Sequence, residues 1–416
     1  MSDDTDLHHP VDLAALADSA RADPALFESR SVEPVFARRV LATPLHMNVA
    51  AESRTNLWTD WNGYTVAEVL SDIEDEYRVL RHAAALADIS PLFKYRISGR
   101  EAAAFLARFA AGDISALRVD GTLPVVFCED RGFVVGDGLL FRLGDDEYRL
   151  VTEEPHLAWL LDSAIGFAVQ VEDVSSTLAA ISLQGPLSAR ILSAANFAGV
   201  ETLAPHAARW FDVAAQPVYV SRTALSGDAG YELWVDPEDA SHIWSLLLAH
   251  GAPFGLAATG FALREIARVE AGRARAGRDY FGAFSAVEPE SASTPFELGL
   301  AGLVDLDRGH FTGRNALRAA KSAPLRHTFS MLAIDWPEPL SFIGIHAGAD
   351  MAGVATSTAF SWSLGKNLAL AMLKPEFLDK PRKLHIEAEM RHGFEVRRVI
   401  VPARLVSGPA PMGPKP

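Results

Sequence analysis

The sequence predicts an α+β fold for most of its length and an all-β unit at its end. Three observations carry this. Strand-like and helix-like segments interleave up to about residue 325, and the strand pairs are joined by short turns, as in split βαβ units. Past Pro324 the pattern becomes short strands separated by Gly, Pro and Asn, with little helix, which is the signature of a barrel or sandwich. Residues 221–234, SRTALSGDAGYELW, read as strand, tight turn, strand.

Taken in order, residues 1–40 form an appended segment. LAALADSARADPALF has helical periodicity, and Pro34 breaks it. His8 and His9 sit in this segment as a solvated pair. Trp58, Trp61 and Tyr64 then crowd together, a density that suits a core or a platform for a flat ligand. Residues 68–86 read as an amphipathic helix with Leu70, Ile73, Tyr77, Leu80 and Ala84 on one face. FKYRIS follows as a strand. Ser98 and Glu101 are spaced as a capping box for the helix EAAAFLARFA. PVVFC, FVVGDGLLFRL and EYRLVT are strands, the second interrupted by Gly136, Asp137 and Gly138.

HLAWLLDSA is helical, VQVEDVS and AAISLQG are strands, and GPLSARILSA opens a helix. DASHIWSLLLAHG is a helix with a glycine stop. LAATGFALREIARVEAG is another, ending at Gly272. Its Arg264, Glu265, Arg268 and Glu270 alternate in sign, which predicts a solvated face. GRARAGRDYFGAF is an Arg- and Gly-rich loop, and a further helix begins near Gly313. HTFSMLAID, GVATS, NLALAML, KLHIEAEM and RVIVPARL are the terminal strands. The expected division is an extension (1–40), a main region (41–325), the β unit (326–410) and a disordered tail (411–416).

The bulk properties narrow the function. The 416 residues suffice for two or three domains with large cores. A net charge of −15 argues against a general binder of nucleic acid or anionic membrane. Cys128 stands alone, so no internal disulfide forms, which fits a reducing compartment. The start is acidic and polar, unlike a secretory or transit signal, and no apolar run is long enough to span a bilayer. A cytoplasmic protein is expected.

The chemistry on offer is sparse. There is no phosphate-cradling loop, no dinucleotide fingerprint, no HExxH and no GxSxG elbow, and the 13 histidines lack ligand spacing. No metal site is expected. Reacting power would then reside in a bound organic cofactor. Two carboxylates stand out. Glu232 sits on a hairpin among apolar neighbours, where a carboxylate can grip a planar group with two adjacent N–H donors; the same pattern is also that of a surface hairpin whose Glu232 faces water. Asp137 lies between two glycines in an apolar strand, a place for close approach of a ligand, or for a bulge or turn in solvent.

In combination, ADISPLFKYRISG, GFVVGDGLLF, ISLQGPLSARIL, SRTALSGDAGYELWV, LREIARVEAG, TPFELGL and FTGRNAL resemble the blocks of the glycine-cleavage T-protein (aminomethyltransferase) family and its tetrahydrofolate-dependent demethylase relatives. The resemblance covers about residues 41–410. It implies a cloverleaf of three domains around a central folate-binding hole, two of them ferredoxin-like α+β units and the last a β-barrel. By match, Glu232 is the carboxylate that pairs with the pterin, Arg264 is the helix arginine near it, and Asp137 is the aspartate close to N5 of tetrahydrofolate, where carbon transfer occurs. Leu225 stands where the family has a turn tyrosine, Gly136 where it has a first aspartate, Pro124 where it often has a tyrosine, and Val151, Thr152 and Glu153 where it has V-N-A. With these departures the resemblance is closer to members that strip a methyl group from small O-, S- or N-methyl donors. Trp58, Tyr64 and Tyr280 are the substrate-side candidates by position and chemistry. The alternatives are a conventional aminomethyltransferase served by a lipoylated carrier protein, and a folate-binding protein without transfer activity.

Overall fold

The computed structural model describes residues 41–224, 229–286, 291–340, 342, 344–378, 383–392 and 395–406. The expected helix within residues 1–40, Leu225 and the tail 411–416 lie outside the described residues. The chain divides into two units, 1–41 and 42–416, and the second is described here.

Helix α1 (His46–Glu52) leads into a hairpin of β1 (Leu57–Trp61) and β2 (Tyr64–Val69). Its turn is Asn62–Gly63, both at positive φ, as tight hairpins require. The helix expected over 68–86 is shorter: α2 covers Ile73–His82. Asp72 caps it by accepting from the Glu74 and Asp75 amides. The Glu76 carboxylate reaches back to the Leu70 and Ser71 amides and ends the turn there. Beyond it, β3 (Ala85–Asp88) is drawn into a sheet, so pairing overrides the helical pattern.

Strands β4 (Phe93–Ser98), β5 (Gly121–Cys128), β6 (Val134–Arg142), β7 (Glu147–Thr152) and β8 (Gln170–Asp173) form one sheet in the order β5-β6-β7-β4-β8. Helices α3 (Ala102–Phe109) and α4 (Leu157–Ala164) supply Phe105, Phe109 and Leu160 to a core with Tyr95, Phe127 and Leu150. The expected capping box does not form. Ser98 ends β4, and Glu101 instead accepts from the Ala168 amide (2.5 Å), tying α3 to the approach to β8.

The second sheet contains β9 (Ala179–Gln184), β10 (Ala208–Val213), β11 (Gln216–Ser221), β12 (Gly230–Val235) and β13 (Ala257–Ala258), in the order β10-β11-β12-β9-β3-β13. Helices α5 (Ser188–Ala194) and α6 (Pro237–Gly251) cover one face, burying Leu192, Ile243, Trp244 and Leu247 against Ile181 and Leu233. Helix α7 (Phe261–Glu270) follows β13. Trp61, Phe141, Val151, Tyr219 and Trp234 pack in a cluster shared by the β1–β2 hairpin and both sheets, and the Arg149 guanidinium lies over the Tyr219 and Trp234 rings.

After α8 (Arg314–Ser322), β14 (Thr328–Ile334), β15 (Gly344–Ala347), β16 (Asp350–Ser361), β17 (Lys366–Leu373), β18 (Leu384–His392) and β19 (Glu395–Val406) close a barrel in the order β14-β17-β16-β15-β18-β19. Pairing of Met331 with Val406 joins its ends, which decides for the barrel over the sandwich. The fold is thus the expected α+β arrangement with a closed β-barrel at its end.

Candidate functional site

Pairing across the second sheet puts Ser221, Glu232, Ser182 and Ala87 in one row. Their chain neighbours Leu233, Ile181 and Leu86 point into the core on the other face, so the row faces α7. Glu232 is therefore not a side chain in open solvent. One carboxylate oxygen, Oε2, accepts from Thr223 Oγ1 at 2.6 Å, and Thr223 lies 3.0 Å from Ser221 Oγ. Burial raises the pKa of Glu232, opposed by the Thr223 hydrogen bond and the charges of Arg264 and Arg273. Beside it is a cavity of about 60 Å³ walled by Ala87, Ile89, Leu92, Ser182, Leu263 and Arg264.

Arg264 projects from the first turns of α7. It forms an ion pair with Glu153, just past the end of β7, and its guanidinium stands 4.6 Å from the Trp61 ring centre. Its Nη1 is buried and, among the described residues, makes no hydrogen bond, with Glu265 Oε1 3.6 Å away. The charges of α7 do not form the expected solvated face. Arg268 and Glu270 are buried. Arg268 chelates Glu265 at 2.8 and 3.0 Å and meets Asp279 at 2.6 Å, while Glu270 accepts from Tyr77 (2.7 Å) and pairs with Arg81. Alternating signs are equally compatible with two partners closing over the helix, and here the barrel and α2 do so. Asp279 also accepts from Thr356 (2.5 Å) and Ser357 (2.6 Å) of β16, which locks the Arg-rich loop and α7 onto the barrel.

Asp137 lies in regular pairing opposite Val126 in β6; the bulge is one step further on, between Phe127 and Cys128. Its flanking glycines serve close approach by the protein itself. A Cβ on Gly138 would sit 2.4 Å from the Val151 carbonyl oxygen, and one on Gly136 would sit 2.4 Å from His156 Nε2. The Tyr280 hydroxyl donates to Asp137. Burial raises the Asp137 carboxyl to about 6; the Tyr280 hydrogen bond opposes this and the negative charge of Glu153 adds to it. Among the described residues no group of three or more His, Cys, Asp or Glu is arranged to hold a metal ion.

Two family models match the chain. The GCVT N-terminal domain covers residues 46–308, and the glycine cleavage T-protein C-terminal barrel domain covers 340–409. The chain belongs to the glycine cleavage T-protein family. It is 32% identical over 322 residues to an aminomethyltransferase of Bacillus pumilus, covering 76% of this chain and 86% of that one. It is 30% identical over 374 residues to an aminomethyltransferase of Saccharopolyspora erythraea, covering 88% and 97%. The crystal structure of the glycine cleavage system aminomethyltransferase T from Bartonella henselae superposes with a TM-score of 0.76 at 20% identity, over 89% of this chain and 98% of that one, and shares its fold. Membership of the T-protein family makes the protein a one-carbon transferase, as expected from the sequence.

The fold of this T-protein relative brings four of the expected site residues into one connected set. Glu232 feels the charge of Arg264, Arg264 pairs with Glu153, and the charge of Glu153 reaches Asp137, which Tyr280 holds. Trp58 borders a hollow that Arg264 and Trp61 also line, but its Nε1 donates to Asn56 and its ring rests 4.8 Å from His46. Tyr64 packs in the aromatic cluster. Trp61, Thr223, Glu153 and Glu154 take part without having been singled out as site residues. Thr223 stands in the SRT run beside the hairpin, and Glu153 and Glu154 follow a strand that ends at the site, which were the only signals available.

Proposed function

We propose that the protein transfers a one-carbon unit to N5 of tetrahydrofolate, with an aminomethyl group carried by a lipoylated protein as the reading the named relatives favour. The observation that carries it is Glu232. Its Oε1 accepts no hydrogen bond among the described residues, it lies beside a narrow cavity that Arg264 also lines, and Arg264 Nη1, 3.6 Å from Glu265 Oε1, makes no hydrogen bond among the described residues. A flat amino-pyrimidine edge with adjacent N–H donors and a carbonyl satisfies both atoms. Tetrahydrofolate, when bound, supplies the nucleophilic nitrogen. The protein's own contribution is to hold the ring edge with Glu232, to orient it with Arg264, and to keep a carboxylate at Asp137 able to take up a proton near neutral pH. Tyr280 fixes that carboxylate in place. The folate-binding work is assigned to residues 41–325 and the barrel, 326–410, to bracing α7, in a cytoplasmic setting.

A second reading, removal of methyl from a small methylated donor, is favoured by Gly136. The family's first aspartate has no room there, because the His156 ring occupies its place. One experiment separates the two. Ammonia released only with a lipoylated carrier supports aminomethyl transfer. 5-Methyltetrahydrofolate formed from small methyl compounds, followed by mass spectrometry, supports demethylation. Tetrahydrofolate binding with neither product points to a binding protein.

A further inference from the structure

A cavity of about 310 Å³ lies between β6, the start of α4 and residues 282–285. This is within the usual size of small-molecule sites, about 300–1,000 Å³. Glu154, His156, Trp159 and Phe284 are its chemically informative walls, and no lysine or arginine lines it among the described residues. The Trp159 and Phe284 rings stand 5.0 Å apart at 55°, so their faces make an aromatic corner. Among the described residues, His156 Nε2 and Trp159 Nε1 are buried without hydrogen-bond partners, and His156 is only 7% exposed. Burial holds the His156 ring neutral, with a pKa lowered to about 4.

Glu154 supplies the charge. Its carboxylate has no hydrogen bond or ion pair among the described residues; burial, then the negative charges of Asp137 and Glu153, raise its pKa, and the positive charge of Arg275 opposes them. Gly277, at φ +74, makes space for it: a Cβ there would lie 2.8 Å from Glu154 Oε1. Two wall residues, Val135 and Gly282, lie two positions along the chain from Asp137 and Tyr280, and a Cβ on Gly282 would sit 2.3 Å from the Val135 carbonyl oxygen; neither Asp137 nor Tyr280 itself lines the hollow. Aromatic faces beside an unpaired carboxylate, with no cation of their own, match an ion that is positively charged yet weakly hydrated.

We propose that this hollow binds a small methylated onium cation, an ammonium or sulfonium, between the Trp159 and Phe284 rings and the Glu154 carboxylate. It rests on the second reading above, removal of methyl from a small methylated donor, to which it adds the class of that donor. The test is calorimetric titration of the full chain, without folate, using choline and its uncharged isostere 3,3-dimethylbutan-1-ol. Choline is expected to bind at least about tenfold more tightly than the isostere. Glu154→Gln and Phe284→Leu are each expected to weaken choline about tenfold, with Glu154→Gln leaving the isostere unaffected. Tetramethylammonium and trimethylsulfonium then distinguish the two kinds of onium. Thermal melts identify a variant that fails to fold, and in that case quenching of Trp fluorescence in the unaltered protein by choline, but not by the isostere, serves instead. Equal affinity for choline and the isostere overturns the proposal, as does absence of binding by all three cations in protein that still binds tetrahydrofolate. Loss of tetrahydrofolate binding as well would sink the underlying reading instead.

Discussion

Tyr280 donates a hydrogen bond to Asp137, although 143 residues of chain separate them. The Arg-rich loop thereby sets the direction of a carboxylate on a strand of the first sheet. Because the hydrogen bond stabilises the ionised form, it holds the carboxyl below the value that burial alone would impose.

Tyr280→Phe is therefore expected to raise the Asp137 pKa further, above about 6. The acid limb of the pH–rate profile should move to higher pH while the rate plateau changes less. A limb that stays in place would show that Asp137 is not the group reporting.

Asp137 also makes a pH-dependent contribution to stability. Its folded pKa lies above its unfolded value of about 4. Between about pH 4 and 6 the folded state keeps a proton the unfolded chain has lost, so this contribution falls as pH rises through that window. Asp137→Asn should then gain up to about 3 kcal/mol relative to the unaltered chain above pH 7, and little at pH 4. Denaturant melts at the two pH values measure this.

Glu232→Gln replaces an acceptor with a group that offers one acceptor and one competing donor. Tetrahydrofolate affinity should fall roughly 10–100-fold, as for other hydrogen bonds to charged groups. Thr223→Ala, which frees Oε2 but keeps the charge, should cost much less. Titration calorimetry of the two variants side by side is the measurement.

Asp279→Ala removes one of two carboxylates from the buried Arg268, leaving it Glu265 and Ser357, and deletes the hydrogen bonds that Asp279 itself accepts from Thr356 and Ser357 of the barrel. A destabilisation of about 3–5 kcal/mol is expected, the range for breaking a buried pair from one side. Urea unfolding would detect it, and a change below about 1 kcal/mol would mean that Glu265, Ser357 and the Arg273 carbonyl suffice for Arg268.

Restoring the family's aspartate with Gly136→Asp should harm the protein, since the new Cβ meets His156 and Phe127 at 2.4 and 2.8 Å. A loss of at least about 1–3 kcal/mol is expected from overpacking alone. Combining it with His156→Ala should recover part of the loss in thermal melts.

The periodicity of the sequence was sufficient for most elements, because strand alternation and helical faces are local properties. It decided the interleaved α+β region, the β-rich end and the hairpin carrying Glu232. It failed at residues 68–86, where two segments of helical pattern were captured by strand pairing, and at Ser98 and Glu101, where a partner at Ala168 outcompeted the cap. The resemblance supplied Glu232, Arg264 and Asp137 as names without neighbours. Only the tertiary structure decided that the alternating charges of α7 are buried, that Arg264 is answered by Glu153, and that Gly136 and Gly138 make room for protein rather than ligand. The reason is physical: whether a charge is solvated or paired, and what a missing side chain makes room for, depends on groups contributed by distant parts of the chain, and these meet only when the sheets, α7 and the barrel close on one another.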